Sequence, residues 1–382
     1  MNIKDLFNRN LIKQISDYDA ISDLPNDSKF YVGFDPTNSL HVGHLLPIIT
    51  MKRLQMTGAK PIAIIGGATA KVGDPTNRTE SRPILSDAQI EQNIQNVTST
   101  IRSIVDCEIV NNVDFVKSNF VEFAFDIGRH FSVNQMLNTD TYKTKLKTGL
   151  SFLEFSYALL QANDFLQLSR QDCFVQIGGN DQWANMVAGI HLIHAKDKKQ
   201  AYCITLPILE DKNGVKFGKS AGNAVWLDKE KTSVFDFWQF WRNVPDDMVL
   251  TLLKYFTFLS LDEINHLVYQ DINNSKIVLA SIVTSIVHGE QASQDAQFKA
   301  KQLFAGGTDV DIDPVIVSSG KTVSEILQIV GATSSKSEGL RLIKGGGVKI
   351  SGVVVQNDFS PTGTFILEKG KKSKFKIEIK NE

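Results

Sequence analysis

The sequence predicts an α/β protein: a parallel-sheet domain, then an α-helical domain, then a small α+β module. Three observations carry this. Phe30–Phe34 is a β-branched and aromatic run, followed by a polar turn, a helical period opening near His41 and ending by Gly58, and a second apolar run over Pro61–Gly67. Strand, crossover helix and strand of that size close as a parallel pair. The order recurs at Phe174–Ile177, the Gly178–Gln182 turn, the helical Trp183–Ala195 and the strand Tyr202–Leu206. From Val234 to Phe304 the period is helical and aromatic-rich, and after a Gly- and Asp-rich stretch the chain resumes with short helices and strands. The expected boundaries are 1–228, 229–304, a linker at 305–320 and 321–382.

Composition narrows the function classes. A chain of 382 residues, 42% hydrophobic and 22% charged, is ordinary for a soluble globular protein with two or three domains. No apolar run approaches the ~20 residues of a membrane span, and the opening MNIKDLFNRNLIKQ carries Asp5 and no long apolar segment, so no secretory signal is expected. Cys107, Cys173 and Cys203 are widely spaced and odd in number. They argue against a disulfide framework or a zinc ribbon and fit a reducing, cytoplasmic setting. Charge divides unevenly: residues 321–382 hold 11 Lys+Arg against 6 Asp+Glu, and the first 320 hold 30 against 36. A basic tail on a mildly acidic body suits nucleic acid, or simply a lysine-rich solvated face.

In chain order, residues 1–29 read as an amphipathic helix and a polar connector. His41-Val-Gly43-His44 falls at the carboxyl end of the first strand, where a helix N-terminus favours anions. A spacing of three puts both imidazoles on one face of the first turn, and Gly43 removes a side chain that would keep a flat ligand from the backbone. A zincin helix spaces its histidines by four, and no further Cys or His lies nearby. Two structural histidines, or a phosphate site, remain. Gly66–Pro75 is a glycine-rich loop after a strand, and Asn77–Arg82 reads as a mobile polar segment. Helical period runs through Ile90–Val105 and Phe120–Phe131. In the apolar helix Leu150–Leu168, Tyr157, Gln161 and Asp164 share one face. Such a stripe must find partners, either a structural network or a ligand. Gly178-Gly179-Asn180-Asp181 suits ribose or phosphate contact, or a plain tight turn. Gly218-Lys219-Ser220 is not a P-loop, because the required first glycine is Asn213 and strand-like Ala224–Leu227 follows. In the tail, helices at Val323–Val330 and Lys336–Lys344 precede short strands at Val348–Ile350, Val353–Val355 and Phe375–Ile379.

These blocks together resemble the bacterial-type tyrosyl-tRNA synthetases of class I. His41–His44 looks like the first class signature and Lys216-Phe-Gly-Lys219-Ser220 like the second in its tyrosyl form. Tyr31–Thr37, Gly73-Asp74-Pro75, Phe155–Gln161 with Asp164-Phe165, and Gln176–Trp183 are similar to the other blocks of the branch, in order over residues 1–304. The tail from Thr322 more loosely resembles an S4-type RNA-binding module. The resemblance implies a Rossmann-like catalytic domain, an α-helical anticodon-side domain and an S4-like domain. It implies that Tyr31 and Asp164 bind a phenolic hydroxyl, that Asp74, Tyr157 and Gln161 hold the α-ammonium group, and that Gln182 lies near the carboxylate. Asp35, Gly43, Gly179 and Asp181 would contact ATP, with Gln176 behind them. Thr37, His41 and His44 would meet its phosphates, joined by Lys216, Lys219 and Ser220 from a mobile loop and assisted by Arg78 and Arg82. Phe152 would lie at a homodimer interface. Two departures stand out: a shortened Asn38-Ser39 link, and Pro47 at a variable first-turn position where proline is tolerated.

The implied chemistry is attack of the tyrosine carboxylate on the α-phosphorus of ATP, with Mg²⁺ present, then transfer to tRNA(Tyr). The carboxylate is itself the nucleophile, so the protein's task is orientation and charge stabilisation. A tryptophanyl-type enzyme on the same scaffold and a catalytically idle RNA-binding protein are the rivals; the Tyr31–Asp164 pair and two intact signatures weigh against them.

Overall fold

Two parallel strands leave opposite sides of one crevice, and that arrangement positions everything else. The computed structural model describes residues 1–76, 85–116, 119–210, 217–220, 223–304, 314–370 and 373–380. The first sheet runs β1-β6-β5-β2-β3-β4, with β1 at Gln14–Ile15, β2 at Lys29–Phe34, β3 at Lys60–Ile65, β4 at Glu108–Asn111, β5 at Cys173–Gly179 and β6 at Tyr202–Leu206. All neighbours are parallel except β1, which pairs antiparallel with β6. The chain builds β3 and β4 on one side of β2, then β5 and β6 on the other. A ligand crevice opens outside the carboxyl ends of β2 and β5, where that order reverses.

Local sequence explains the elements. In β3 every residue after Lys60 is buried, the continuous apolar pattern of a strand covered on both faces. Capping boxes start the long helices: Ser86 with Gln89 for Asp87–Ile104, and Ser151 with Glu154 for Phe152–Ser169. Between sheet and helices the core gathers Tyr31, Ile62, Phe165, Leu166 and Leu192. Gly189, in the helix Trp183–Asp197, lets it close on its neighbour, since a Cβ there would stand 2.8 Å from a Phe165 ring carbon. Among the described residues no helix is long and apolar enough to cross a membrane.

The chain groups into two compact units, Met1–Thr232 with Asp246–Ser275, and Ser233–Pro245 with Lys276–Glu382. The stretch read as one helical domain from 229 to 304 is therefore shared between them. Helices Asp246–Phe256 and Leu261–Gln270 join the first unit for an identifiable reason. Arg9 and Arg53, both buried, share Asp5 at 2.8 and 2.9 Å. Arg9 donates to the carbonyls of Lys254 and Leu259, and Arg53 to that of Thr257. Burial lowers the Arg53 guanidinium to about 10, the neighbouring Arg9 charge adding to the effect.

In the second unit, Val234–Arg242 contacts the chain through Trp238 Nε1 donating to Ser281 Oγ at 3.3 Å and Phe237 stacked edge-on to His288. A five-stranded sheet follows in the order β11-β10-β12-β13-β9. Its strands are β9 (Val315–Ser318), β10 (Val348–Ile350), β11 (Val353–Val354), β12 (Thr364–Lys369) and β13 (Ser373–Lys380), packed with helices Val323–Ile329 and Lys336–Lys344. Four strands of these two sheets escape the sequence pattern: β1, β4, β12, and β9, which lies in the stretch read as linker and pairs parallel with β13. The helix expected over Phe120–Phe131 stops at Asp126 and continues as a 3-10 turn, Gly128–His130.

Candidate active site

A cavity of about 650 Å³ occupies the crevice, within the range of small-molecule sites. Its floor combines β2, β5 and the helix Phe152–Ser169. Tyr31 is 1% exposed and packs edge-on to Phe165. Tyr31 Oη and Asp164 Oδ1 are buried without a hydrogen-bond partner among the described residues, as are Gln161 Oε1 and Gln176 Oε1. Each such group costs ~1–3 kcal/mol when left unpaired, so the floor is complementary to a ligand carrying a hydroxyl. The stripe of Tyr157, Gln161 and Asp164 thus faces the cavity. Burial pushes the Asp164 carboxyl up to about 8, against a hydrogen bond that favours the ionised form, with the Asp35 charge adding to the rise. The Tyr31 phenol is raised well above its ordinary value, chiefly by burial and then by Asp164.

The partner of Asp164 is a residue that sequence reading missed. Asn112, 1% exposed, donates from Nδ2 to Asp164 Oδ2 at 2.9 Å and to Thr69 Oγ1 at 3.2 Å. Its Oδ1 accepts from the Ala68 N–H at 2.8 Å. It sits in a 3-10 turn after β4, in no motif; only its place at a strand end could have flagged it.

Along one wall, Gln182 Nε2 donates to Asp74 Oδ2 at 2.8 Å, and Asn185 Nδ2 donates to Gln182 Oε1 at 3.1 Å. The other Asp74 oxygen accepts from the Thr76 N–H at 2.9 Å. Tyr157 Oη meets Asp35 Oδ1 at 3.5 Å, joining the two halves expected to hold the amino acid and the nucleotide. Gly66 makes this possible: a Cβ there would stand 2.9 Å from Asp35 Oδ1. Gly179 does the same for Asp181, whose Oδ1 would lie 2.5 Å from its Cβ. Gly179, Asp181 and Thr37 all line the cavity. Asn180 turns away instead, its Oδ1 accepting from Gln14 Nε2 at 2.7 Å and Thr205 Oγ1 at 3.0 Å.

The His41 and His44 rings lie together as their spacing suggested, centroids 4.0 Å apart, although only His44 is inside the helix. His41 is the extended N-cap of the helix Val42–Met56, and His44 is its third residue. His41 Nδ1 accepts from the Gly43 N–H at 3.0 Å, and His44 Nδ1 accepts from the His41 N–H at 3.2 Å. This capping box occupies the Nδ1 lone pair of each ring, which in a neutral imidazole places the proton on Nε2. Gly43 makes room for the His41 ring, which would lie 2.7 Å from a Cβ, as well as for a ligand. Pro47 lies inside the helix, beyond the first turn. Its missing N–H leaves the Gly43 carbonyl out of the helical ladder.

The second signature joins the first through backbone. Lys219 and Ser220 form β7, paired antiparallel with β8 at Asn223–Ala224. Gly218 has φ +77°, and its Cβ would stand 2.0 Å from Val42 Cγ2, at the first turn of the histidine-capped helix. The Val42 N–H donates to the Val225 carbonyl at 2.9 Å, and the Leu227 N–H to the Leu40 carbonyl at 2.8 Å. Lys216, Arg78 and Arg82 lie outside the described residues.

A family model described as tRNA synthetases class I (W and Y) matches residues 25–305. A tyrosine–tRNA ligase of Clostridium kluyveri is 43% identical, over 99% of this chain and 100% of its own length. The chain belongs to the class I tyrosyl-tRNA synthetases. Tyrosine–tRNA ligase 1 of Clostridium acetobutylicum is 40% identical over 99% of both chains. Among solved structures, a C-terminally truncated mitochondrial tyrosyl-tRNA synthetase of Aspergillus nidulans is 28% identical. It aligns with a TM-score of 0.72 over 79% of this chain and 94% of that one.

Proposed function

We propose that this chain activates L-tyrosine with ATP to give tyrosyl-adenylate and pyrophosphate, then transfers tyrosine to the 3′ end of tRNA(Tyr). The observation that carries the reading is the pair of orphaned buried atoms, Tyr31 Oη and Asp164 Oδ1, on the cavity floor. A phenol supplies both partners; phenylalanine supplies neither, and an indole lacks the hydroxyl. Asp74, Tyr157 and Gln161 hold the ammonium group in this reading, with Gln182 beside the carboxylate. Asp35, Gly43, Gly179 and Asp181 take the adenosine. Thr37, His41, His44, Lys216, Lys219 and Ser220 are assigned to the triphosphate, to stabilise charge as pyrophosphate departs. The described residues contain no group of three or more His, Cys, Asp or Glu able to hold a metal. Among the described residues there is thus no cage, and Mg²⁺ would arrive on the phosphates. ATP–pyrophosphate exchange across the twenty amino acids tests the reading: tyrosine alone should support it, and preference for tryptophan would refute it.

The domain roles are part of the proposal: a catalytic domain over 1–228, helices on the anticodon side after it, and an S4-like RNA-binding module from 321, all in the cytoplasm. Removing 321–382 should spare exchange and impair tRNA charging; normal charging by the shortened chain would end the idea. Phe120, Val121, Phe125 and Phe152 are 66–73% exposed, Phe120 and Phe152 in edge-on contact. That apolar face supports a homodimer, and Phe152→Asp should shift the sedimenting mass toward the monomer.

A further inference from the structure

We infer that Trp226 is a positioning residue for His41, an assignment that rests on reading the cavity as an adenylate-forming site. The capping hydrogen bond to Gly43 fixes one atom of the His41 ring but leaves its tilt to its neighbours. On one side is the His44 ring, centroids 4.0 Å apart. Another neighbour is the Trp226 indole, edge-on at 6.2 Å and 64°. Backbone holds that indole in register, because His41 and Trp226 form a β-bridge framed by the Val42–Val225 and Leu227–Leu40 hydrogen bonds. The Trp226 N–H donates to Thr232 Oγ1 at 3.0 Å, securing the segment beyond. From that segment Lys231 reaches back, its Nζ 5.0 Å above the indole and 2.9 Å from Asn38 Oδ1. Asn38 Oδ1 also accepts from the Ser39 N–H, so Lys231 ties the indole to the turn next to Thr37.

The segment just after the lysine loop is thereby the wall that aims the first histidine of the other signature. A donor stabilises developing charge only where its proton points. Trp226 does not need to touch the substrate to matter: a ring free to tilt loses the rate while leaving the tyrosine pocket, built from other residues, intact.

A double-mutant cycle on tyrosine-dependent ATP–pyrophosphate exchange tests this in the full chain. Trp226→Ala should lower kcat about tenfold or more, with KM for tyrosine changed less than about twofold. Trp226→Phe, keeping an aromatic edge, should recover most of that loss. In a His41→Ala background, Trp226→Ala should cost less than about threefold, because the residue it acts through is gone. Should Trp226→Ala fold poorly, Lys231→Gln serves instead, with a smaller loss of kcat that also vanishes in the His41→Ala background. Equal losses in both backgrounds, a matching rise in KM for tyrosine, or no recovery with Phe overturns the assignment. A wild-type chain without tyrosine-dependent exchange overturns the parent reading as well, which separates the two failures.

Discussion

The floor and the rim of the same cavity are built on opposite plans. At the floor, buried side chains from β2, the turn after β4 and the helix Phe152–Ser169 converge on two polar atoms left unpaired among the described residues. At the rim, half-exposed imidazoles and backbone amides come from one short turn, held by a capping box and a β-bridge. The difference follows from what each must recognise. Discrimination between a phenol and a benzene ring needs buried groups whose lack of a partner is costly. Stabilising a phosphate needs donors of the right orientation, and a helix N-terminus supplies them locally.

If the rim serves the transition state alone, Lys219→Ala should slow adenylate formation by about 10²–10³ and leave tyrosine affinity nearly unchanged. Single-turnover adenylate formation and equilibrium tyrosine binding would separate the two, and equal damage to both would erase the distinction. The floor should respond in the other sense. Asp164→Ala should lower the tyrosine-to-phenylalanine exchange ratio by roughly 10–100-fold, the equivalent of ~1–3 kcal/mol; an unchanged ratio removes Asp164 from specificity.

A further effect comes from the charge state of the floor. The Asp164 carboxyl, about 8 in the fold against an ordinary 3.8, holds a proton in the folded chain that the unfolded chain releases. Ligand-free stability should therefore fall as pH rises from about 4 to about 8, by at most about 1.4 kcal/mol per unit, and level off beyond. Asp164→Asn should flatten that part of the profile. Thermal unfolding across this range measures it, and a slope unchanged by the substitution would contradict the burial-driven shift.

How much was legible beforehand follows the same divide. The rim motifs are contiguous, so their residue types and spacing identified them, and the strand–turn–helix context came from the period of the apolar residues. The spacing rule brought the two imidazoles together but did not show that His41 is the cap, because whether a residue caps a helix or enters it depends on its backbone angles, here φ −117° and ψ 172°. The turn holding Asn180 read equally as a ligand contact or a plain tight turn, and β1 and β6 claim the Asn180 side chain. The strand β9 was hidden for a related reason. Its residues are mostly exposed, and only pairing with β13 makes them a strand.

By itself the sequence determined most of the local pieces: the strongly patterned strands and helices, which turns carry imidazole, lysine and carboxylate, and hence the class of chemistry. Only the tertiary structure decided which distant groups share an environment. Asn112 pairs with Asp164 across 52 positions of chain, and Arg9 and Arg53 draw helices 246–256 and 261–270 to the first unit. Periodicity reports burial along one element, whereas desolvation and hydrogen bonding depend on what packs against it from elsewhere.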